Sequence, residues 1–163
     1  MKPALARAAY TGLLHLATPI YLARLWWRGR REPGYREAIG ERLGRGAAHA
    51  ATQSVWIHAV SLGETRAASP LVAALRAALP GLRLLLTHGT ATGRAEGQRL
   101  LRDGDVQAWQ PWDTPGAVRR FLDQFRPRAG VLMETEVWPN LVAQCQARGI
   151  PLALANARLS DKS

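Results

Sequence analysis

From Ser54 onward the apolar and polar positions alternate between two rhythms. VWIHAV (55–60) is a continuous apolar run of strand length, and it is followed by a helical pattern across 64–79. In that stretch Ala68, Leu71, Val72, Leu75 and Leu79 share one face at helical spacing. Ser69-Pro70 reads as a cap and restart at the first turn of that helix, and Pro80-Gly81 ends it. The alternation repeats with LRLLLT (82–87) as strand, roughly 93–102 as helix and VQAWQ (106–110) as strand. PGAVRRFLDQF (115–125) is helical, with Val118, Phe121, Leu122 and Phe125 at its apolar positions. AGVLME (129–134) is a fourth strand, 137–148 a helix closed by Gly149, and IPLALAN (150–156) a fifth strand. Short, fully apolar strands separated by helices imply a parallel sheet covered on both faces. With right-handed crossovers this is an α/β fold, a Rossmann-like open sheet over residues 54–163.

The first fifty residues follow another pattern. Sixteen uncharged residues, AAYTGLLHLATPIYLA, lie between Arg7 and Arg24, followed by Trp26, Trp27 and then Arg28, Arg30 and Arg31. A spanning helix needs about 20 apolar residues, and this run also contains His15 and Pro19. Residues 1–31 therefore read as a short signal-anchor or interfacial helix, with a soluble N-terminal helix as the alternative. Tryptophans followed by arginines suit a headgroup region, and Trp-Trp-Arg makes a poor cleavage site for a secretory signal. If the helix spans, the arginines after it leave the rest of the chain in the cytoplasm. Residues 32–53 read as a connector, in which 35–43 forms a short polar helix with Tyr35, Ile39 and Leu43 on one face.

Ligands of open parallel sheets bind beyond the carboxyl ends of the strands. Every expected strand here ends in polar chemistry: Ser61-Leu62-Gly63-Glu64, Thr87 to Gly93, Pro111-Trp112-Asp113, Glu134-Thr135-Glu136 and Asn156-Ala157-Arg158. Each also has an ordinary reading. Glu64 is either a favourable charge at a helix start or a general base, with Gly63 permitting an unusual backbone before it. The 87–93 turn is either a simple capped turn or an anion cradle at a helix N-terminus. It is not a Walker loop, because the Gly-Lys-Ser/Thr ending is missing. Asp113-Thr114-Pro115 reads as the cap of the 115–125 helix. Glu134 and Glu136, two residues apart, repel if both face one cleft, so one should be paired or protonated. His58 reads as a hydrogen-bonded core residue. The spacing of His15, His49, His88 and Cys145 gives no expectation of a metal site.

Composition narrows the partner. The chain has 163 residues, 22 Lys+Arg against 12 Asp+Glu and a formal charge of +10. A hydrophobic fraction of 47% excludes a charge-extended disordered chain, and one cysteine excludes a disulfide framework. Residues 1–50 carry +6 of the charge beside the apolar run, and the remaining 113 carry +4. This points to an anionic membrane surface. Nucleic acid is disfavoured, because there is no basic recognition helix or aromatic-basic stripe.

The runs WIHAVSLGETRAASPLVAAL (56–75), LLTHGTATG (85–93), PWDTPGAVRRFL (111–122), METEVWPNL (133–141) and IPLALANARLSDKS (150–163) together resemble the 3-deoxy-D-manno-octulosonic acid (Kdo) transferases. The resemblance covers nearly the whole chain, but only the first half of such an enzyme. Members have two Rossmann-like domains of the GT-B type, and residues 54–163 match the first, acceptor-binding one. The resemblance implies transfer of Kdo from CMP-Kdo to a lipid A precursor at the cytoplasmic face of the inner membrane, in lipopolysaccharide synthesis. No cofactor is implied beyond the donor substrate.

Carried onto this sequence, the resemblance makes Glu64 the general base, a role suited to a carboxylate whose pKa is raised by partial burial. Ser61, Gly63, Thr90, Thr92, Gly93, Asp113, Glu134, Glu136, Asn156 and Arg158 form the expected substrate-binding set. Two departures stand out. His88-Gly89 and Ala91 interrupt a turn that usually reads closer to Thr-Thr-Thr-Pro-Thr-Gly, and Trp112 replaces the usual Tyr. Without a second, donor-binding domain, the chain is expected to bind acceptor but not to transfer efficiently. The rival reading is a non-catalytic, membrane-associated domain that binds an anionic lipid.

Overall fold

The computed structural model describes residues 3–46, 53–134 and 137–157. Its centre is a five-stranded, fully parallel sheet built from β1 (Val55–His58), β2 (Leu84–His88), β3 (Val106–Trp109), β4 (Ala129–Met133) and β5 (Leu152–Ala155). The order across the sheet is β3-β2-β1-β4-β5, so the chain reverses direction of growth between β3 and β4. β1 is central, pairing Val55 with Leu84 on one side and with Ala129 on the other.

Alternation along the strands sends successive side chains to opposite faces. On one face Trp56, Leu85, Ala108 and Leu132 pack with residues of α5 (Pro115–Phe125) and α6 (Pro139–Ala147). On the other, Val55, Ile57, Leu84, Leu86 and Met133 pack with Ala68 and Val72 of α3 (Leu62–Ala78), and Leu100 and Leu101 after α4 (Ala91–Gln98) close the same cluster. Both faces are therefore covered, as the unbroken apolar strands require. The α/β architecture expected from the periodicity is present, with strand boundaries shifted by a few residues.

Three local expectations are corrected. Ser69-Pro70 does not restart a helix: α3 begins at Leu62, its N-cap is Ser61, and it continues through Pro70. Residues 35–43 do not form one helix. A 3-10 turn (Pro33–Arg36) and a single helical turn, α2 (Ile39–Arg42), are separated by Ala38 in the left-handed region at φ 46°. The described part of the expected connector is also firmly packed. The Trp109 N–H and indole N–H donate to Glu41 Oε2 and Glu37 O, and Arg120 donates to Leu43 O. Tyr35 and Arg42 are each 2% exposed.

The N-terminal apolar run forms α1 (Pro3–Arg28). Among the described residues no helix is long and apolar enough to cross a membrane. α1 is bound to the domain mainly through polar groups. Tyr10 donates to Asp113, Thr11 and Asn140 exchange hydrogen bonds, and Trp112 Nε1 donates to Thr18 Oγ1 at 3.1 Å. Tyr21 stacks on Trp112 at 3.9 Å between ring centres and 12° between planes. Leu14 and Leu25 are buried, whereas Leu5, Leu13, Leu16, Ile20, Trp26 and Trp27 are exposed.

Candidate active site at the carboxyl edge of the sheet

Glu64 sits in the first turn of α3, directly beyond β1, and is 5% exposed. The sequence Ser-Leu-Gly-Glu forms a capping arrangement there. Glu64 N–H donates to Ser61 Oγ at 3.3 Å, and Glu64 Oε2 accepts from the Val60 N–H at 2.7 Å. One carboxylate oxygen thus fixes the turn. The other receives no hydrogen bond from a described residue. Gly63 lies within the regular helix, not in an unusual backbone conformation, and is exposed. Its lack of a side chain leaves the helix start open beside Glu64.

The 87–93 turn is occupied internally. Gly89 and Thr90 N–H both donate to Val60 O, and Thr90 Oγ1 accepts from Gly93 N–H as the N-cap of α4. Three donors that could have held an anion are therefore engaged, and the simple capped turn describes this segment. Gly93 is required for packing: a Cβ there would lie 3.0 Å from Val60 O, Ser61 C and Thr90 Oγ1. Thr92 reaches only Thr90, at 3.4 Å.

Asp113 departs from its expected role. Thr114 is the N-cap of α5 and makes no side-chain cap. Asp113 instead caps α6, accepting from Asn140 N–H at 3.0 Å and Leu141 N–H at 2.8 Å. Asn140 Nδ2 donates back to Asp113 O at 2.7 Å, and Tyr10 closes the group. Burial raises the Asp113 pKa against the lowering effect of these bonds, and burial together with Asp113 raises that of Tyr10. The missing α6 cap is the reason: Trp138 and Pro139 open that helix without a capping side chain of their own.

Glu134 follows β4 with its backbone in the left-handed region at φ 57°, and its side chain is exposed. Asn156 follows β5 at φ 56° and is also exposed. Gln53 and Arg126 share this conformation away from the edge, so it does not by itself mark the site. Glu136 and Arg158 lie outside the described residues.

The histidines near the edge belong to the core. His58 Nδ1 meets Thr87 Oγ1 at 2.8 Å, a hydroxyl that also accepts from Trp56 Nε1, and His88 Nδ1 meets Ala59 O at 2.9 Å. Burial pushes the His58 pKa down to about 3 and that of His88 to about 4. Burial also raises the Cys145 thiol to about 11, so it is unreactive near neutrality. Among the described residues no three His, Cys, Asp or Glu side chains could hold a metal ion.

The edge also holds a cavity of about 310 Å³ whose wall includes Tyr21, Arg42, Gly89, Gln110, Trp112, Trp138 and Val60, the residue that holds Glu64. Of these, Tyr21, Arg42, Gln110 and Trp138 escape sequence reasoning. They come from α1, α2, the end of β3 and the loop before α6, and no local pattern connects them.

A parallel sheet in this strand order, with its polar groups gathered at the carboxyl edge, is a Rossmann-like domain, a class whose ligands bind beyond the carboxyl ends of the strands. Residues 37–163 match the family model described as 3-deoxy-D-manno-octulosonic-acid transferase (kdotransferase), and the chain belongs to that family. A protein named 3-deoxy-D-manno-octulosonic acid transferase from Bordetella pertussis is 51% identical over 98% of this chain, which spans 39% of that relative. One of the same name from Haemophilus influenzae is 37% identical over 96% of the chain, and the chain covers 37% of it. A probable mitochondrial one from Arabidopsis thaliana is 36% identical over 94%, with 35% of its own length covered.

Proposed function

We propose that this chain is the acceptor-binding part of an enzyme that transfers Kdo from CMP-Kdo to a lipid A precursor, with Glu64 as general base. The observation that carries this reading is the state of the Glu64 carboxylate. It is positioned by Val60 N–H through Oε2, beside an open helix start, and its other oxygen has no described protein donor. That oxygen takes the proton of an acceptor hydroxyl. The hydroxyl oxygen then forms the new bond to the anomeric carbon of Kdo, and the bond to CMP breaks with its electrons leaving on the phosphate. Fixing one oxygen spares the base the entropy of finding its orientation. Glu134, Asn156 and the residues around Gly63 face the same edge and are suited to orient sugars, with Glu136 and Arg158 assigned the same task by position in the sequence.

Membrane association belongs to the same proposal. α1 turns Leu13, Leu16, Ile20 and Trp27 outward, with Arg24, Arg28, Arg30 and Arg31 at the same end. Such a helix lies in the headgroup layer, its apolar row among acyl chains and its guanidinium groups on lipid phosphates. The inner-membrane cytoplasmic face is the surface where a lipid acceptor and a nucleotide sugar meet.

The test joins this chain to the remaining C-terminal part of the Bordetella pertussis relative and replaces Glu64 by Gln. Loss of transfer by roughly 10²–10⁴-fold with unchanged acceptor binding is expected for a general base. Loss of acceptor binding itself would instead support the rival reading, a non-catalytic lipid-binding domain.

A further inference from the structure

We propose that the cavity at the carboxyl edge, walled by Tyr21, Arg42, Gly89, Gln110, Trp112 and Trp138, is an oxyanion subsite that takes a phosphate or carboxylate group onto Arg42. The argument begins with an unbalanced charge. Arg42 is 2% exposed, yet no described carboxylate lies within ion-pair distance of it. Its sequence neighbour Glu41 pairs with Arg94 at 3.1 Å. The guanidinium donates from one terminal nitrogen to Tyr21 Oη at 3.0 Å and from the other to Gly89 O at 3.2 Å. Its Nε is buried without an acceptor among the described residues.

A buried cation is strongly destabilising unless it is paired. The Trp109 ring, whose centre lies 3.9 Å from the guanidinium carbon, offsets part of this through a desolvated cation–π contact. Burial lowers the Arg42 pKa and nearby Arg94 adds to that, opposed only by the phenols of Tyr21 and Tyr35 among the described residues and by no carboxylate. The domain thus holds a positive charge at its ligand edge, and no carboxylate among the described residues pairs with it.

The rest of the cavity agrees with an anionic occupant. Trp138 lines it, and its indole N–H, which can only donate, is buried without a described acceptor. Asp113 also lines the cavity, but its oxygens accept from Tyr10, Asn140 and Leu141, at the positive end of α6. The stacked rings of Tyr21 and Trp112 supply the apolar wall that small-ligand sites share. Val60, whose N–H fixes Glu64, belongs to the same wall, so an anion on Arg42 places its parent molecule beside the candidate base. Whether the oxyanion comes from an acceptor phosphate or from a sugar-acid donor rests on the transferase reading. That the cavity takes one does not.

The experiment titrates the 163-residue chain with sodium phosphate and with sodium acetate against sodium chloride at matched ionic strength, following tryptophan fluorescence. A saturable response to phosphate or acetate, absent with chloride, is expected. Trp138→Phe keeps the ring and removes one donor, and should weaken that response roughly tenfold. Arg42→Lys keeps the charge but loses the planar fork, and should weaken it by more. No saturable response in the unmodified chain, or a response that both variants leave unchanged, overturns the proposal. A sugar 1-phosphate and a 2-keto sugar acid then separate the two sources, the stronger Arg42-dependent ligand naming the occupant. Anion binding here is independent of what Glu64 does, so either reading can fail without the other.

Discussion

α1 and α5 both carry an apolar stripe, and the domain treats them in opposite ways. α5 turns Ala117, Val118, Phe121, Leu122 and Phe125 into the sheet and keeps its charges outside. α1 turns Tyr10, Thr11, Thr18 and Tyr21 toward the domain and leaves Leu13, Leu16, Ile20 and Trp27 outside. The apolar side of α5 is matched to a partner in this chain. That of α1 is left uncovered by the described residues. An apolar periodicity therefore says that a stripe is covered somewhere, without saying by what.

The largest effects should come from reversing this division. Phe121→Ala empties a 1%-exposed position and should cost about 3–5 kcal/mol in urea unfolding. Leu16→Ser, at a position 78% exposed, should change stability by no more than about 0.5 kcal/mol. It should nevertheless reduce sedimentation with anionic vesicles. A large stability loss on Leu16→Ser, with vesicle binding intact, would erase the distinction between the two helices.

Acid tests the core side of the comparison alone. His58 and His88 are held neutral in the fold, with pKa values of about 3 and 4 against 6.5 for an ordinary histidine. Below pH 6.5 the unfolded chain therefore binds more protons than the folded one. The stability is complete above pH 6.5 and falls as pH drops toward 4 and 3. Between pH 6.5 and 5 the loss is about 2 kcal/mol per histidine. Urea midpoints at pH 7 and pH 5 check it, and equal midpoints would place protonated histidines in the native state.

Asp113→Ala acts on the contact between the two sides and should have the smaller effect. Losing the α6 cap costs about 1–2 kcal/mol, and losing Tyr10's acceptor loosens α1. Limited proteolysis should cut α1 earlier in this variant while the sheet domain persists. Unchanged cleavage would mean that the Tyr21–Trp112 stack holds the helix without Asp113.

The sheet was legible in the sequence because buried parallel strands are unbroken apolar runs and their helices repeat at 3.6 residues. The capped turn at Thr90 was also readable, since a capping residue acts within three positions, whereas the cap at Ser61 was missed in favour of Ser69. What escaped was chemistry between distant segments. Asp113 looked like a cap for the helix that follows it, but its acceptors serve a helix start 27 and 28 positions away. Arg42 lay in a charged stretch that resembles a linker. Its burial depends on Tyr21, Gly89 and Trp109, which only the fold assembles. For Glu64 the geometry speaks to the helix-start reading, with one oxygen fixed on the Val60 N–H, while the general-base reading is left to the Glu64→Gln experiment.

The bonds that seat α1 also set an order of events during synthesis. Tyr10 precedes Asp113 by 103 positions, and Thr11 precedes Asn140 by 129. At about 5–20 residues per second, α1 leaves the ribosome on the order of 5–25 s before the residues that will hold it. During that interval Tyr10 and Thr11 lack their partners, while Arg42, 21 positions after Tyr21, has already emerged. The outer end of α1 can thus be seated through Tyr21 well before Tyr10 and Thr11 find Asp113 and Asn140.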